Sequence, residues 1–209
     1  MRGSATRAGA AAGIAGPAAF TGAWIAASLR QTGHPAAEIQ ISGLAAPDAS
    51  DPWIMIAGFL VLGGCSVAFG AALREALGGR ARAGVAPWLI QGAGLATIAA
   101  GLLRRDHMLL TSGSVSWHNH AHDVISAAIY VDLVAAQVLL AIRFGRDPAW
   151  IQWRPWLLAS AGVTGAVLVA FAADTSAADA GILQRVAVTI PLAAIAAIAA
   201  RLIRTPASG

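Results

Sequence analysis

Residues 117–142 read WHNHAHDVISAAIYVDLVAAQVLLAI, and this stretch decides the class of fold. It opens with three histidines and an aspartate, and from Val124 to Ile142 Asp132 is its single charged residue. A helix needs about 20 mainly apolar residues to cross the hydrocarbon core of a membrane. The stretch therefore predicts a transmembrane helix that begins in a polar, titratable cluster.

Five further segments have the same apolar character. Continuous apolar runs, without the alternation of barrel strands, predict helices because unpaired backbone groups in lipid are too costly. We expect the first segment to be a retained helix, although Arg2, Arg7 and the small residues near Ser28 resemble a secretory signal. The sequence predicts an all-α integral membrane bundle of six transmembrane helices in a single transmembrane domain, residues 1–209, with spans at about 8–29, 53–76, 87–104, 119–142, 156–174 and 183–203.

Composition excludes a water-soluble domain and a nucleic-acid partner. The chain is 57% hydrophobic and 11% charged, whereas soluble domains carry about 25% charged residues. Its net charge of +4 comes from arginines scattered between apolar segments, not from the basic face that nucleic acid requires. A single cysteine, Cys65, provides neither a disulfide framework nor a thiol metal site. We therefore expect membrane lipids as partners, and a homo-oligomer or a membrane complex as possible assemblies.

The arginines also predict the orientation of the bundle. Ten of the 14 lie before the first span, after the last, or in the second and fourth loops. The positive-inside rule makes that side cytoplasmic, so both termini are expected there. The opposite, outer side contains all five histidines and most of the acidic residues. The histidines are His34, His107, His118, His120 and His122, and the acids are Glu38, Asp48, Asp51, Asp106, Asp123, Asp174 and Asp179.

The outer cluster has the spacing of a metal half-site. His118 and His122 are four residues apart and share one helix face. Asp106 and His107, at the end of the third span, are close enough in the chain to supply further ligands. Zinc accepts imidazole nitrogens and carboxylate oxygens, and a zinc-bound water can attack an ester or amide. One hypothesis is therefore a zinc-dependent membrane hydrolase with a lipid-like substrate.

Other interpretations of this cluster stay open. Ser114, His118 and His122 are similar to motif residues of the membrane hydrolase superfamily that includes alkaline ceramidases, but those proteins have seven spans and spread the motif over several helices. The residues are also compatible with a solvated rim in which Ser116 caps the helix, or with a pH-sensing or ligand-binding site. No glycine-rich phosphate loop or nucleophile elbow is present.

Asp132 is a separate signal, because it lies near the middle of the fourth span. A charge there costs roughly 2.5–3.5 kcal/mol on insertion scales. We expect its carboxyl to face the bundle, to be protonated or to be paired. Arg185 is a charged candidate partner, and Gln91, Gln137 and Thr164 are neutral ones. The functional hypothesis is an ion or proton relay, and the alternative is a polar packing contact.

Several of these stretches resemble one bacterial family of polytopic membrane proteins, the domain-of-unknown-function 998 family. The resemblance extends from about Gly33 to Arg204 and implies six helices in a bacterial plasma (inner) membrane. It implies no activity, and within the histidine run it gives most weight to His122 and Asp123. The matching stretches are Ile41–Leu44 with Asp48 and Pro52–Trp53, Gly101–Met108, Ser116–Asp123, and Gln184–Arg185.

These observations predict a multi-pass membrane protein in which the histidines and aspartates of the outer side bind a ligand or metal. The alternatives are the metal-dependent hydrolase, a non-enzymatic sensor or transporter, and a structural subunit of a membrane complex. The candidate ligand-binding residues are Asp106, His107, His118, His122 and Asp123, followed by Ser42, Asp132 and Arg185; the candidate metal ligands are His118, His122, Asp106 and His107.

Overall fold

The structure is a computed structural model that describes residues 2–79, 83–109, 115–173 and 178–204. Within these ranges it contains helices and no strand, which confirms the predicted all-α class. Each predicted span corresponds to one helix, with ends that differ by a few residues. The helices are α1 (Arg2–Arg30), α2 (Pro52–Ala76), α3 (Ala86–Leu102), α4 (Trp117–Phe144), α5 (Arg154–Ala173) and α6 (Ala180–Arg204), with short 3-10 turns at Gly43–Ala45 and Ile151–Trp153.

Five of the six long helices are long and apolar enough to cross a membrane. The exception is α3, which has 17 residues and therefore extends for about 25 Å, slightly less than a hydrocarbon core of about 30 Å. It remains apolar throughout and has no charged residue. The set of six fits a membrane bundle in which α3 is the shortest member.

The helices form a closed ring. Each helix packs against the next along the chain, and α1 also packs against α6. Large apolar side chains fill the centre, where Phe20 of α1 meets Phe59 of α2 edge to face at 5.3 Å between ring centroids. Because the ring closes, the loops at one end come together and can form a common surface.

The arginine-rich end of the bundle is held by cation–π contacts. The Arg74 guanidinium lies 4.4 Å from the centroid of Trp88, and that of Arg201 lies 4.5 Å from Trp150. These contacts join the ends of neighbouring helices at the side predicted to be cytoplasmic. Their aromatic partners match the expected position of tryptophans near span ends.

At the opposite end, the loop between α1 and α2 folds back over the bundle. We call residues 31–51 the cap. Every residue from Ile39 to Ala46 is buried, although connecting segments normally lie on the surface. The reason is composition: this part of the loop reads IQISGLAA, so it is apolar enough to pack on the helix ends. The cap positions the residues of the candidate site.

Candidate functional site

Arg185, in the second turn of α6, holds the cap to two helices. Its guanidinium donates to three backbone carbonyls and one hydroxyl, and it lies over an aromatic ring. Charged donors make stronger hydrogen bonds than neutral ones, and the planar guanidinium suits several acceptors at once. The contacts are the carbonyl oxygens of Ala36, Ile39 and Gly181 at 2.8 Å each, Ser28 Oγ at 2.9 Å, and the Trp24 ring at 5.3 Å.

The first turn of α6 approaches the cap backbone closely. The Gly181 N–H donates to the Ala37 carbonyl at 2.7 Å. A Cβ atom at Gly181 would overlap the carbonyl oxygens of Ala36, Ala37 and Ile39. Only glycine therefore allows this contact, and sequence reasoning did not single it out because a glycine in this Ala- and Gly-rich chain is common.

A cavity of about 50 Å³ lies directly beneath the cap. The Ser42 N–H of the cap donates to Gln184 Oε1 at 3.4 Å, and Gln184 shares a hydrogen bond with the Tyr130 hydroxyl. These three residues form a polar row in a mainly apolar wall. The lining residues are Phe20, Ile41, Ser42, Phe59, Leu62, Ser66, Ala93, Thr97, Ser126, Ile129, Tyr130, Leu133, Gln184, Val188 and Leu192.

Asp106 is the centre of the outer polar cluster, which we define as Asp106, Ser116, His118, Asn119 and Asp123. Its carboxylate accepts from the Ser116 N–H at 2.6 Å and from the Ser116 hydroxyl at 2.7 Å, and His118 Nε2 lies 3.5 Å away. Donation from the Ser116 N–H and hydroxyl holds the pKa of Asp106 below its usual value, with smaller contributions from His118 and His107.

The start of α4 confirms the prediction that Ser116 is the N-cap residue of this helix. Ser116 Oγ accepts from the Asn119 N–H at 3.3 Å, so α4 begins at Trp117, two residues before the predicted span. Asn119 is buried and joins two acids: its Oδ1 accepts from the Asp106 N–H at 3.0 Å, and its Nδ2 donates to Asp123 at 3.0 Å. Asn119 belonged to the resembling stretch but was not a predicted site residue.

The two histidines that share a face of α4 bind different parts of the preceding helix end. His118 Nδ1 lies 3.1 Å from the Arg104 carbonyl. His122 Nδ1 lies 2.9 Å from the Ala100 carbonyl and 2.8 Å from that of Leu103. Carbonyls only accept, so these contacts assign a proton to Nδ1 of His122, and its other ring nitrogen is Nε2. That Nε2 is buried and has no hydrogen-bond partner among the residues that the structure describes.

The four candidate metal ligands do not come together. His107 Nδ1 lies 3.5 Å from Asp48 of the cap, His118 lies by Asp106, and His122 turns toward the end of α3. In the part of the chain that the structure describes, no group of three or more His, Cys, Asp or Glu side chains could hold a metal ion. The zinc hypothesis stays a prediction without a supporting arrangement, and Ser114 and Asp174 lie outside the described residues.

Two more contacts join the cap to the segment after α3. Arg105 Nη1 donates to Gln40 Oε1 at 2.5 Å, and the Met108 N–H donates to Asp48 Oδ1 at 2.7 Å. Burial lowers the pKa of Arg105, and the charges of Asp123 and Asp106 oppose that effect. The segment after α3 therefore contacts both the outer polar cluster and the cap. Of the predicted site residues, Ser42 belongs to the cap, and His107 and Arg185 contact it.

Asp132 lies away from this network, and the prediction that Arg185 could pair with it is wrong. Arg185 is committed to the cap, and the described residues provide no hydrogen-bond or ion-pair partner for the Asp132 carboxyl. Gln91 and Gln137 donate instead to carbonyls of their own helices. The Asp132 carboxyl lies beside Gly92 of α3, where a Cβ atom would be 3.4 Å from Asp132 Oδ2.

The six apolar helices and the capped polar end define a multi-pass membrane protein. Residues 14–201 match the profile of a family described as "Protein of unknown function (DUF998)". The chain therefore belongs to this family, as the resemblance predicted. No curated protein and no solved structure matches the chain.

Proposed function

We propose that the protein is a non-enzymatic binding protein of the membrane, which takes up a small, neutral, mainly apolar molecule in the cavity beneath the cap. The observation that carries this proposal is the position of Ser42, which belongs both to the cap and to the cavity wall. Movement of the cap therefore opens the cavity from the polar end of the bundle.

The lining defines the chemistry of the ligand. Among the described residues no charged side chain lines the cavity, and a buried charge without a partner is costly, which favours a neutral molecule. Tyr130, Gln184 and Ser42 supply hydrogen-bonding groups on one side of an apolar wall, the usual composition of a ligand site. The ligand therefore combines an apolar body with a single hydroxyl, carbonyl or amide group.

In this proposal the described conformation is the closed one. A water molecule needs about 10–15 Å³ of such space, so a cavity of about 50 Å³ accommodates a few waters or a very small ligand. A larger ligand requires the cap to move outward. In this proposal Ser42 contacts the ligand, while Asp106, His107, Asp123 and Arg185 control how easily the cap moves. His118 and His122 position the end of α3 beneath it.

Short primary alcohols test the proposal, because they carry one hydroxyl on an apolar chain. We expect 1-butanol to raise the melting temperature of the purified protein in a mild detergent. Ser126→Leu fills the cavity and should abolish this effect. Ala128→Leu, at an exposed position of the same helix, introduces the same leucine side chain outside the cavity and should preserve it. An identical response of all three proteins would refute binding in the cavity.

A second candidate function, that of a subunit in a membrane assembly, is favoured by the surface of α5. An open groove of about 750 Å³ lies between α5 and α6, and no atom of another described residue lies within 4 Å of a Cβ position at Gly162 of α5. Small residues allow helices of another chain to approach closely. Native mass spectrometry should then detect an oligomer that Gly162→Leu dissociates; a wild-type monomer would contradict it.

A further inference from the structure

Asp132 occupies the middle of a transmembrane helix. It is close to the centre of the 28-residue helix α4, roughly 20 Å from either end at 1.5 Å per residue. The other charged residues of the described helices lie nearer to a helix end; Arg185, for example, is in the second turn of α6. Asp132 is therefore the acid that lies deepest in the bundle's apolar region.

Within the described ranges, no compensating charge pairs with Asp132. Its side chain is half-buried at the seam between α3 and α4, beside Gly92. The flanking Leu95 and Val131 are 61% and 66% exposed on the outer face of the bundle, so the seam faces lipid. The lack of a side chain at Gly92 leaves space for the carboxyl group.

In the described part of the neighbouring helices, no titratable or charged group faces this carboxyl. Helix α3 has no charged residue, and the charge nearest in the α5 sequence is Arg154 at its first position. On α6, Arg185 binds the cap and Arg201 lies at the opposite end. On α4 itself, Tyr130 lines the central cavity and bonds Gln184. The carboxyl is thus isolated within the described bundle.

An isolated carboxylate in hydrocarbon is unfavourable, and such groups neutralise rather than remain charged. A long side chain avoids this cost by reaching the interface, but the side chain of aspartate is too short. We propose that Asp132 is a membrane-embedded proton-binding site, with its carboxyl protonated at neutral pH and accessible from the lipid at the seam between α3 and α4. Ionisable residues at such depth mark ion or proton pathways by default.

The test is labelling with a hydrophobic carbodiimide, dicyclohexylcarbodiimide, at neutral pH. The carboxyl oxygen adds to the central carbon of the reagent, and the carboxyl proton moves to a reagent nitrogen. The acyl group then migrates to nitrogen and gives a stable N-acylurea, with no leaving group. Peptide mass spectrometry should find the whole reagent on Asp132, and a water-soluble carbodiimide should leave Asp132 unmodified.

Two variants make the result specific. Asp132→Asn should abolish labelling of this peptide, whereas Asp179→Asn, at an exposed position just before α6, should not alter it. If Asp132→Asn fails to fold, the site of labelling in the wild-type protein still decides the question. An unmodified Asp132 in the wild-type protein, or equal modification by the water-soluble reagent, would overturn the proposal. Asp132 is not part of the cavity lining, so this result is independent of alcohol binding.

Discussion

Arg185 Nη1 donates a hydrogen bond of 2.8 Å to the carbonyl of Ile39, a residue 146 positions earlier in the chain. This bond joins the last helix to the buried part of the cap. The same guanidinium also binds Ser28 of α1. One side chain therefore determines how the first loop is seated between the first and last helices, and its replacement is the most direct way to loosen the cap.

Replacement of Arg185 by lysine should loosen the cap, although it keeps the charge. A lysine ammonium cannot reproduce the planar set of donors that reaches several acceptors. We expect a loss of about 2 kcal/mol in the free energy of unfolding, measured as a lower melting temperature, and faster proteolysis within residues 31–51. Arg204→Lys, at an exposed position, is the control. Equal effects of the two substitutions would contradict the role of Arg185.

Acid should weaken the outer polar cluster through Asp106. Because donation from Ser116 lowers the pKa of the folded-state carboxyl, its stabilisation is fully present above the unfolded-state pKa of about 3.9. It is lost as pH falls through the lower folded-state value. We expect Asp106→Asn to reduce the melting temperature at pH 7 and to flatten its decline between pH 5 and the acid limit.

Asp179→Asn is the matched control for this pH profile, because Asp179 is an exposed acid at the same end of the bundle. Its profile should follow that of the wild-type protein. If the Asp106→Asn protein loses stability in acid as steeply as the wild type, Asp106 does not stabilise the folded state through the Ser116 hydrogen bonds.

The helices were predictable from the sequence, because each apolar run determines its own span in lipid. The start of α4 was also predictable, because Ser116 is an N-cap residue whose hydroxyl accepts from the nearby Asn119 N–H. The buried cap was not predictable in the same way. Its burial depends on Gln184 and Arg185, which bind cap residues 142 and 146 positions earlier in the chain, and on a glycine at position 181.

The histidine pair shows a second limit of sequence reasoning. A spacing of four residues correctly places His118 and His122 on one face of α4. It does not say what that face meets. In the structure this face packs against the end of α3. The carbonyl oxygens of Ala100, Leu103 and Arg104 lie within hydrogen-bond distance of the two Nδ1 atoms. Helix periodicity therefore predicts which face of α4 the two side chains share, while their hydrogen-bond partners depend on how the helices pack.

Gly181→Ala should destabilise the contact between α6 and the cap. The added methyl group would overlap three carbonyl oxygens of backbone that cannot move without displacing the cap. Overpacking of this kind costs about 1–3 kcal/mol, and thermal unfolding should report it. Gly22→Ala in α1 is the matched control, because its Cβ position is open and alanine favours helix formation. A destabilisation as large in Gly22→Ala as in Gly181→Ala would disprove the close approach.

Replacement of His122 by leucine should destabilise the junction of α3 and α4. The imidazole N–H serves two carbonyls at the end of α3, and leucine fills similar space but donates no hydrogen bond. Loss of a buried hydrogen-bond partner costs about 1–3 kcal/mol, so the melting temperature should fall. His120→Leu, at an exposed position on the next face of α4, should have little effect.

The same pair of variants separates this structural role from metal binding. If His122 acts through its Nδ1 hydrogen bonds, a chelator such as EDTA should leave the melting temperature of the wild-type protein unchanged while His122→Leu lowers it. A stoichiometric metal ion that is lost together with His122 would show instead that the buried Nε2 lone pair coordinates a cation. Metal analysis of both proteins after gentle purification distinguishes the two outcomes, because only coordination links the metal content to this imidazole.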